Sequence, residues 1–261
     1  MPVAPAQKHT RMNALLPCRL IVDAAAAGTW QMAVDEVLLE SAAERHLASL
    51  RFYRWSEPTL SLGYFQRFGD QQRHPPSRNC PLVRRQTGGG AILHDRELTY
   101  CLAVPLAHPL AADATRLYLA VHEALSGALA SFDIATTLGT APQETSAAGE
   151  PFLCFQRRTP GDVLLDGAKV CGSAQRRRRG AILQHGSLLL AASPRAPELA
   201  GILELCGKSP EEPLVVESWA TAIGERLGFA PVAGRLTELE LDKVRVLALE
   251  KYGTAGWNKR R

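Results

Sequence analysis

The chain has 261 residues, 46% of them hydrophobic and 21% charged, and carries a formal net charge of +4 at neutral pH. That balance excludes a disordered or low-complexity chain and is enough to bury a sizeable core. The mild basic excess does not by itself imply nucleic acid, and no run approaches the roughly 18 apolar residues of a membrane helix.

The start, MPVAPAQKHTR, has no apolar core of the kind a secretory signal needs, and residues 1–17 read as a flexible leader. From residue 18 the pattern tightens into what is expected to be one α+β domain reaching residue 261. LIVDA predicts a short strand, and residues 30–43 a helix carrying Met32, Val34, Val37 and Leu38. SLRFYRW and TLSLGYF, split by Glu57-Pro58, predict two strands around a turn. PLVRRQ and ELTYCLAVP are two more strand candidates. Over residues 113–132, Leu117, Val121, Leu125, Leu129 and Phe132 recur at three- to four-residue steps, one face of a helix. LGTAPQETSAAGEP, residues 138–151, is breaker-rich and reads as a mobile loop. GDVLLDGAKVCGSAQ and AILQHGSLLLA predict hairpin-related strands, with a turn at Asp166-Gly167 and a connection over Arg176–Gly180. Two helices are expected at the end, over residues 214–227, closed by Gly228, and over 237–252, opened by a Thr237/Glu240 capping box.

Three stretches carry candidate chemistry. In RRQTGGGAILHD, three glycines let backbone amides approach a ligand, with Arg84, Arg85, Thr87, Ala91, His94 and Asp95 alongside. The spacing is neither a Walker loop nor a dinucleotide fingerprint, and a bare hairpin turn is the structural alternative. Lys169 is the second signal: it is the only lysine between Lys8 and Lys208, in a chain that otherwise writes its cations there as arginine. An ammonium is a compact point charge that can polarise a carbonyl, hold an anion or stabilise a thiolate, and its proton affinity can be tuned as that of a guanidinium cannot.

The third signal is cysteine. The six cysteines form no CxxC pair and no metal-ligand spacing, which points to free thiols in a reducing cytoplasm and to no metal site. Cys171 has strand neighbours on both sides and reads as packing. Cys154 follows the loop and precedes Arg157 and Arg158, an electropositive setting that favours the thiolate over the ~3% expected of a free cysteine at pH 7. The run Arg176, Arg177, Arg178, Arg179 reads either as a solvated turn or as a docking patch for an acidic protein. No aromatic residues interleave with it, which argues against nucleic acid.

Together these segments resemble the biotin/lipoate protein ligase superfamily, in its lipoyl and octanoyl transfer branch. TWQMAVDEVLL is similar to that family's N-terminal helix, RFYRWSEPTLSLGYFQ to its first hairpin and RRQTGGGAILHDRELTY to its acyl-binding glycine loop. GDVLLDGAKVCGSAQ with ILQHGSLLL resembles its lysine-bearing strands, and KYGTAGWNKRR its C-terminal signature. The resemblance implies an α+β catalytic domain with a mixed, largely antiparallel sheet flanked by helices.

Two chemistries compete within that branch. Lipoate–protein ligases activate a free acid with ATP and magnesium, whereas cysteine-dependent octanoyltransferases pass octanoyl through an enzyme thioester and need no cofactor. In the second type a Cys-Phe pair precedes the lysine-bearing strand, as Cys154-Phe155 does here. Gly90 stands where some such transferases carry arginine, and Arg157 and Arg158 stand where small or acidic residues are usual. The resemblance therefore implies Cys154 as nucleophile and Lys169 as the cation at the acyl carbonyl, with His94 or His185 as proton acceptor. It implies substrate contacts at Arg84, Arg85, Thr87, Gly88, Gly89, Gly90, Ala91, Gly172, Ser173 and Ala174, and an acyl tunnel near the glycine loop and residues 60–64. The implied partners are acyl carrier protein and the lipoyl domains of 2-oxoacid dehydrogenases or the glycine-cleavage H protein, with no nucleic acid and no membrane. A non-catalytic homologue that only binds lipoyl domains is the further alternative.

Overall fold

The computed structural model describes residues 15–142 and 150–261. The leader expected over residues 1–17 lies almost wholly outside the described residues, as does the middle of the loop expected over 138–151. In chain order the strands are β1 (Leu16–Val22), β2 (Ala48–Tyr53), β3 (Thr59–Leu62), β4 (Leu82–Arg84), β5 (Ile92–His94), β6 (Glu97–Pro105), β7 (Thr137–Leu138), β8 (Val163–Leu165), β9 (Ala168–Arg178), β10 (Ala181–Leu189) and β11 (Phe229–Ala233). The helices are α1 (Gly28–Arg45), α2 (Ala114–Ala130), α3 (Ile202–Cys206), α4 (Glu212–Leu227), α5 (Glu238–Leu247) and α6 (Ala255–Asn258).

Eight strands form one mixed sheet in the order β11-β1-β2-β6-β10-β9-β8-β7. Only β11, β1 and β2 run parallel, and the rest of the sheet is antiparallel, as expected. Period-two alternation divides its faces. Leu50, Phe52, Leu102, Val104 and Ile182 pack beneath α2 and α4 around Trp219. Cys101, Ala103 and Leu183 face the other way, under α1 and the Val244–Tyr252 end of the chain. A smaller sheet, β4-β3-β5, lies apart with its own cluster of Leu60, Leu62, Ala91, Leu93 and Leu153.

Several local expectations hold for the reasons given. Asp113 caps α2, its carboxylate accepting from the N–H groups of Thr115 and Arg116. Thr237 and Glu240 cap α5 reciprocally, and Gly228 closes α4 at φ 72°. Asp166 and Gly167 turn at φ 48° and 74° between β8 and β9.

Others are corrected. Residues 49–55 and 59–65 do not make a hairpin: β2 joins the large sheet and β3 the small one. The connection expected over Arg176–Gly180 is shorter, because Arg176, Arg177 and Arg178 are paired residues of β9 opposite Leu183, Ile182 and Ala181. Only Arg179 and Gly180, at φ 50° and 91°, form the turn. The helix expected over residues 237–252 changes pitch at Ala248 into a π-helical turn ending at Tyr252. The strand β11 and the short helices α3 and α6 carry too few periodic residues to be read from sequence.

Candidate active site

Two backbone devices bring the candidate residues together. The first is the β8–β9 hairpin, which folds Val163 back opposite Cys171 and brings Asp162 beside Gly172. The Asp162 carboxylate, fully buried, accepts from the Thr159 N–H at 2.7 Å and from the Tyr118 hydroxyl at 2.9 Å, and pairs with Lys169 Nζ at 2.9 Å. Lys169 lies back across Gly172, where a Cβ would overlap its Cε and Nζ. The missing side chain is what lets the ammonium reach the cavity.

The second device positions the cysteine. Ala91 donates its N–H to Phe152 O and accepts from Cys154 N at 2.7 Å, so the glycine loop and the cysteine segment are joined backbone to backbone. Cys154 opens a single 3-10 turn, Cys154–Gln156. Its Sγ lies 3.9 Å from Lys169 Nζ, and the Phe155 ring lies 5.5 Å from the same nitrogen. Gly90 backs this segment: a Cβ there would come within 3.2 Å of Cys154 and 2.8 Å of the Arg157 guanidinium. Arg157 thus occupies space that a side chain at position 90 would take, which links the glycine at 90 to the arginine at 157.

Around the thiol–ammonium pair is a cavity whose exposed surface is largely apolar. Of the sequence-predicted residues, Arg85, Gly88, Gly89, His94, Cys154, Lys169, Gly172, Ser173, Ala174 and His185 line it. Met32, Tyr53, Ile92, Thr99, Phe155, Gly186 and Ser187 complete it. The tunnel expected along residues 60–64 is displaced: Leu60 and Leu62 are buried in the core of the small sheet instead.

Four predicted contacts have other tasks. Arg84 is turned away from the cavity and donates to the carbonyls of Gly63, Tyr64, Gln66 and Asn258, tying the glycine-loop sheet to α6. Thr87 is bonded to His185, and Gly90 and Ala91 support the cysteine segment. Of the arginine run, Arg177 donates to the carbonyls of Ala111 and Ala112 and Arg178 pairs with Glu36, so neither is a free docking group.

Arg85 is fully buried and its guanidinium is pulled down to about 10 by burial, an effect that the charge of Cys154 partly offsets. It donates to the Ser61 hydroxyl at 2.7 Å and to the carbonyls of Gly88 and Gly90. The two histidines are both engaged. His94 lies between Glu97 and Ser61, at 2.6 and 2.7 Å, stacked on Trp55, and burial holds it below its ordinary value. His185 lies between Asp35 Oδ2 at 2.8 Å and Thr87 Oγ1 at 2.7 Å. A carboxylate only accepts, so the proton of neutral His185 sits on Nδ1 and Nε2 takes the rotatable Thr87 hydroxyl.

Asp162, Asp35 and His122 are the groups that sequence reasoning missed. Asp35 also holds Arg51 and Tyr53, which fixes the wall of the cavity. His122 is bonded to Gly161 O and to the Ser173 hydroxyl, and burial holds it neutral, pushed down to about 4. Among the described residues no group of His, Cys, Asp and Glu could hold a metal ion, and no helix is long and apolar enough to cross a membrane.

A thiol beside a buried ammonium, opening on a largely apolar cavity, is an arrangement suited to acyl transfer. The model of the lipoyl protein ligase A/B catalytic domain matches residues 28–218, and the chain belongs to that family. It is 32% identical to octanoyltransferase LipM of Kyrpidia tusciae, over 93% of this chain and 98% of that one. To octanoyltransferase LipM of Moorella thermoacetica it is 35% identical, over 88% and 93%. The fold matches a bipartite lipoate protein ligase from Thermoplasma acidophilum with a TM-score of 0.74 at 21% identity, covering 94% and 96% of the two chains.

Proposed function

We propose that this protein is an octanoyltransferase of protein lipoylation that moves octanoyl from acyl carrier protein to the lysine of a lipoyl domain or glycine-cleavage H protein, through a thioester on Cys154. The observation that carries the reading is Lys169 Nζ lying 3.9 Å from Cys154 Sγ inside the apolar cavity, in a chain whose relatives are named octanoyltransferases. A ligase acting through an acyl-adenylate has no use for a thiol at that point.

In the first half-reaction the Cys154 thiolate attacks the thioester carbonyl of the donor. Lys169, held by Asp162, balances the charge first of the thiolate and then of the developing oxyanion. The C–S bond to the carrier breaks, and the carrier leaves as its thiol, taking up the proton that Cys154 gave up on ionising. The donor thioester is already activated, so this step calls on no nucleotide.

In the second half-reaction the acceptor lysine attacks the acyl-enzyme, an amide forms and the Cys154 thiolate departs. The amine must surrender a proton, since a free lysine of pKa about 10.4 is less than ~0.1% neutral at pH 7. His185 is the better-placed acceptor, because its Nε2 is held only by a hydroxyl that can rotate away. The Nε2 of His94 receives the proton of Ser61, which Arg85 fixes in turn.

The test is to incubate the protein with octanoyl-acyl carrier protein and look by mass spectrometry for a hydroxylamine-labile octanoyl adduct on Cys154. Full transfer activity in Cys154→Ala would overturn the covalent route. Formation of octanoyl-adenylate from octanoate and ATP would favour the ligase chemistry instead.

A further inference from the structure

Beside the glycine loop is a cluster of cations that the transfer chemistry does not use. Arg260 stacks on two aromatic rings, its guanidinium carbon 3.8 Å from the centroid of Tyr64 and 3.9 Å from that of Trp257. Arg261 lies over Phe65 at 5.3 Å and Tyr64 at 5.8 Å, and Arg176 approaches Tyr64 at 5.4 Å. None of Arg176, Arg260 and Arg261 forms an ion pair with a carboxylate among the described residues. The half-buried Tyr64 phenol is held below its ordinary value by Arg260 first and then by Arg176 and Arg261. Clustered cations repel one another, and stacking on Tyr64 and Trp257, or a bound anion, offsets that repulsion.

The hydrogen bonds of the cluster point the same way. Arg260 Nε and Nη2 and Arg176 Nε are buried and have no hydrogen-bond partner among the described residues. Guanidinium N–H groups in this condition are incomplete donors, and their planar fork matches the paired oxygens of a phosphate or a carboxylate.

The cluster is also in line with the cavity. Gly172, Ala174 and Arg176 lie on one face of β9, since they pair with Ser187, His185 and Leu183 of β10. Gly172 and Ala174 line the cavity, and Gly172 abuts Lys169. Four residues further along an extended strand is about 13 Å, so the backbone of Arg176 lies that far along β9 from Gly172. On the other side, Phe65 packs within 4 Å of the position of a Cβ on Gly88, another cavity residue.

We infer that Arg176, Arg260 and Arg261, on the Tyr64–Trp257 platform, bind the phosphate of the arm that carries the acyl thioester, while the thioester itself reaches Cys154. The inference rests on the transfer reading above and adds the recognition of the donor. A phosphopantetheine arm has the two features that the spacing requires: a thioester at one end and a phosphodiester separated from it by an extended linker. Nucleotide phosphate is the other source of the same chemistry, and the experiment separates the two.

The rate of Cys154 octanoylation is measured with S-octanoyl phosphopantetheine and with S-octanoyl pantetheine, which lacks the phosphate. The wild-type protein is expected to prefer the phosphorylated donor by about tenfold or more in kcat/KM, as for charge-assisted hydrogen bonds. In Arg260→Gln, and separately in Arg176→Gln/Arg261→Gln, the ratio is expected to fall towards one. A second arm reads the 31P line width of acyl-free phosphopantetheine and of ATP on addition of each protein, and does not depend on the thiol. Equal rates with both donors in the wild type, or a preference that survives in both variants, would overturn the inference while leaving Cys154 acylation intact. ATP broadened through the same arginines with phosphopantetheine unaffected would overturn it in favour of a nucleotide. If neither donor acylates Cys154, the transfer reading is what fails, and the 31P arm still decides the phosphate site.

Discussion

Replacing Asp162 with Asn tests the least visible part of the site. The Asp162 carboxylate is fully buried and the Lys169 side chain only 4% exposed, with 2.9 Å between them. At an effective dielectric near 20 the gross attraction at that distance is roughly 6 kcal/mol, most of it offset by the desolvation of both ions. Removing one partner leaves the other charge buried and uncompensated, which costs about 3–5 kcal/mol. The amide also turns an N–H towards a ring of donors: Thr159 N–H, the Tyr118 hydroxyl and the Lys169 ammonium. At about 2–4 °C per kcal/mol for a chain of this size, the melting temperature of Asp162→Asn is expected to fall by roughly 10 °C. Single-turnover acylation of Cys154 is expected to slow by about 100-fold, the usual loss when an oxyanion donor is misplaced. The double variant Asp162→Asn/Lys169→Met removes the stranded charge and is expected to melt above Asp162→Asn while remaining inactive. A single variant that melts within 2 °C of wild type and acylates at its rate, or a double variant less stable than the single, would refute the claim that Asp162 holds Lys169.

Three further outcomes follow from the geometry. Gly172→Ala places a Cβ on Lys169 Cε and is expected to lower the acylation rate at least tenfold with little change in far-ultraviolet circular dichroism; a wild-type rate would mean that the ammonium is not needed there. His185→Gln is expected to let the octanoyl-enzyme accumulate by slowing its aminolysis, whereas His94→Gln is expected chiefly to lower thermal stability; the reverse pattern in stopped-time mass spectra would exchange their roles. Burial alone would raise Glu240, but the Arg19, Ser41 and Thr237 hydrogen bonds prevail and hold it down at about 2, so its contribution is present above its unfolded value near 4.5 and disappears as the pH falls towards 2. After allowance for solvent around Arg19, denaturant titrations of wild type and Glu240→Gln should differ by about 2 kcal/mol at pH 7 and converge near pH 2; a constant gap would show that the charge is irrelevant.

The parts of the site that were legible in the sequence are those fixed by short-range rules. An Asp-Gly turn at 166–167 makes residues 163–165 and 168–171 a hairpin, but counting from the turn would set Asp162 opposite Cys171; the bulge between Val163 and Leu164 shifts the register by one and brings Asp162 beside Gly172 instead. The partner of the lone lysine lay seven residues upstream, but a bulge that the sequence does not announce was needed to bring it beside the position whose missing side chain makes room for the ammonium. The glycine loop was legible as a ligand-approaching segment, yet its second task, seating the cysteine segment through Ala91, was not, because that bridge joins residues 62 apart in sequence. Asp35 escaped notice for a different reason. On α1 the buried residues include Gln31, Asp35 and Glu36 as well as Met32, Val34, Val37 and Leu38, so the helix has no clean polar face to set an inward carboxylate apart. The arginine run left two readings open, a turn or a docking patch, because sequence gives charge but not strand direction. In β9 alternate arginines point to opposite faces, and three of the four meet groups already in the protein.

The division of labour within the site explains how one fold serves two chemistries. Lys169, Asp162 and Gly172 belong to a single hairpin of the large sheet, and a cation there suits any acyl carbonyl or carboxylate, whether it arrives as a thioester or as an adenylate. Cys154 comes from a separate segment that hangs on the glycine loop through one backbone bridge at Ala91. A chain can therefore gain or lose the thiol without disturbing the ammonium. Gly90 and Arg157 illustrate the same independence, since a guanidinium reaching across from the cysteine segment fills the space left by an absent side chain in the loop. On this reasoning Lys169→Ala should abolish acyl transfer from any donor. Cys154→Ala should abolish only the thioester route and leave the cavity able to bind an octanoyl chain. Loss of octanoate binding in Cys154→Ala, measured by calorimetry, would show that the two segments are not separable after all.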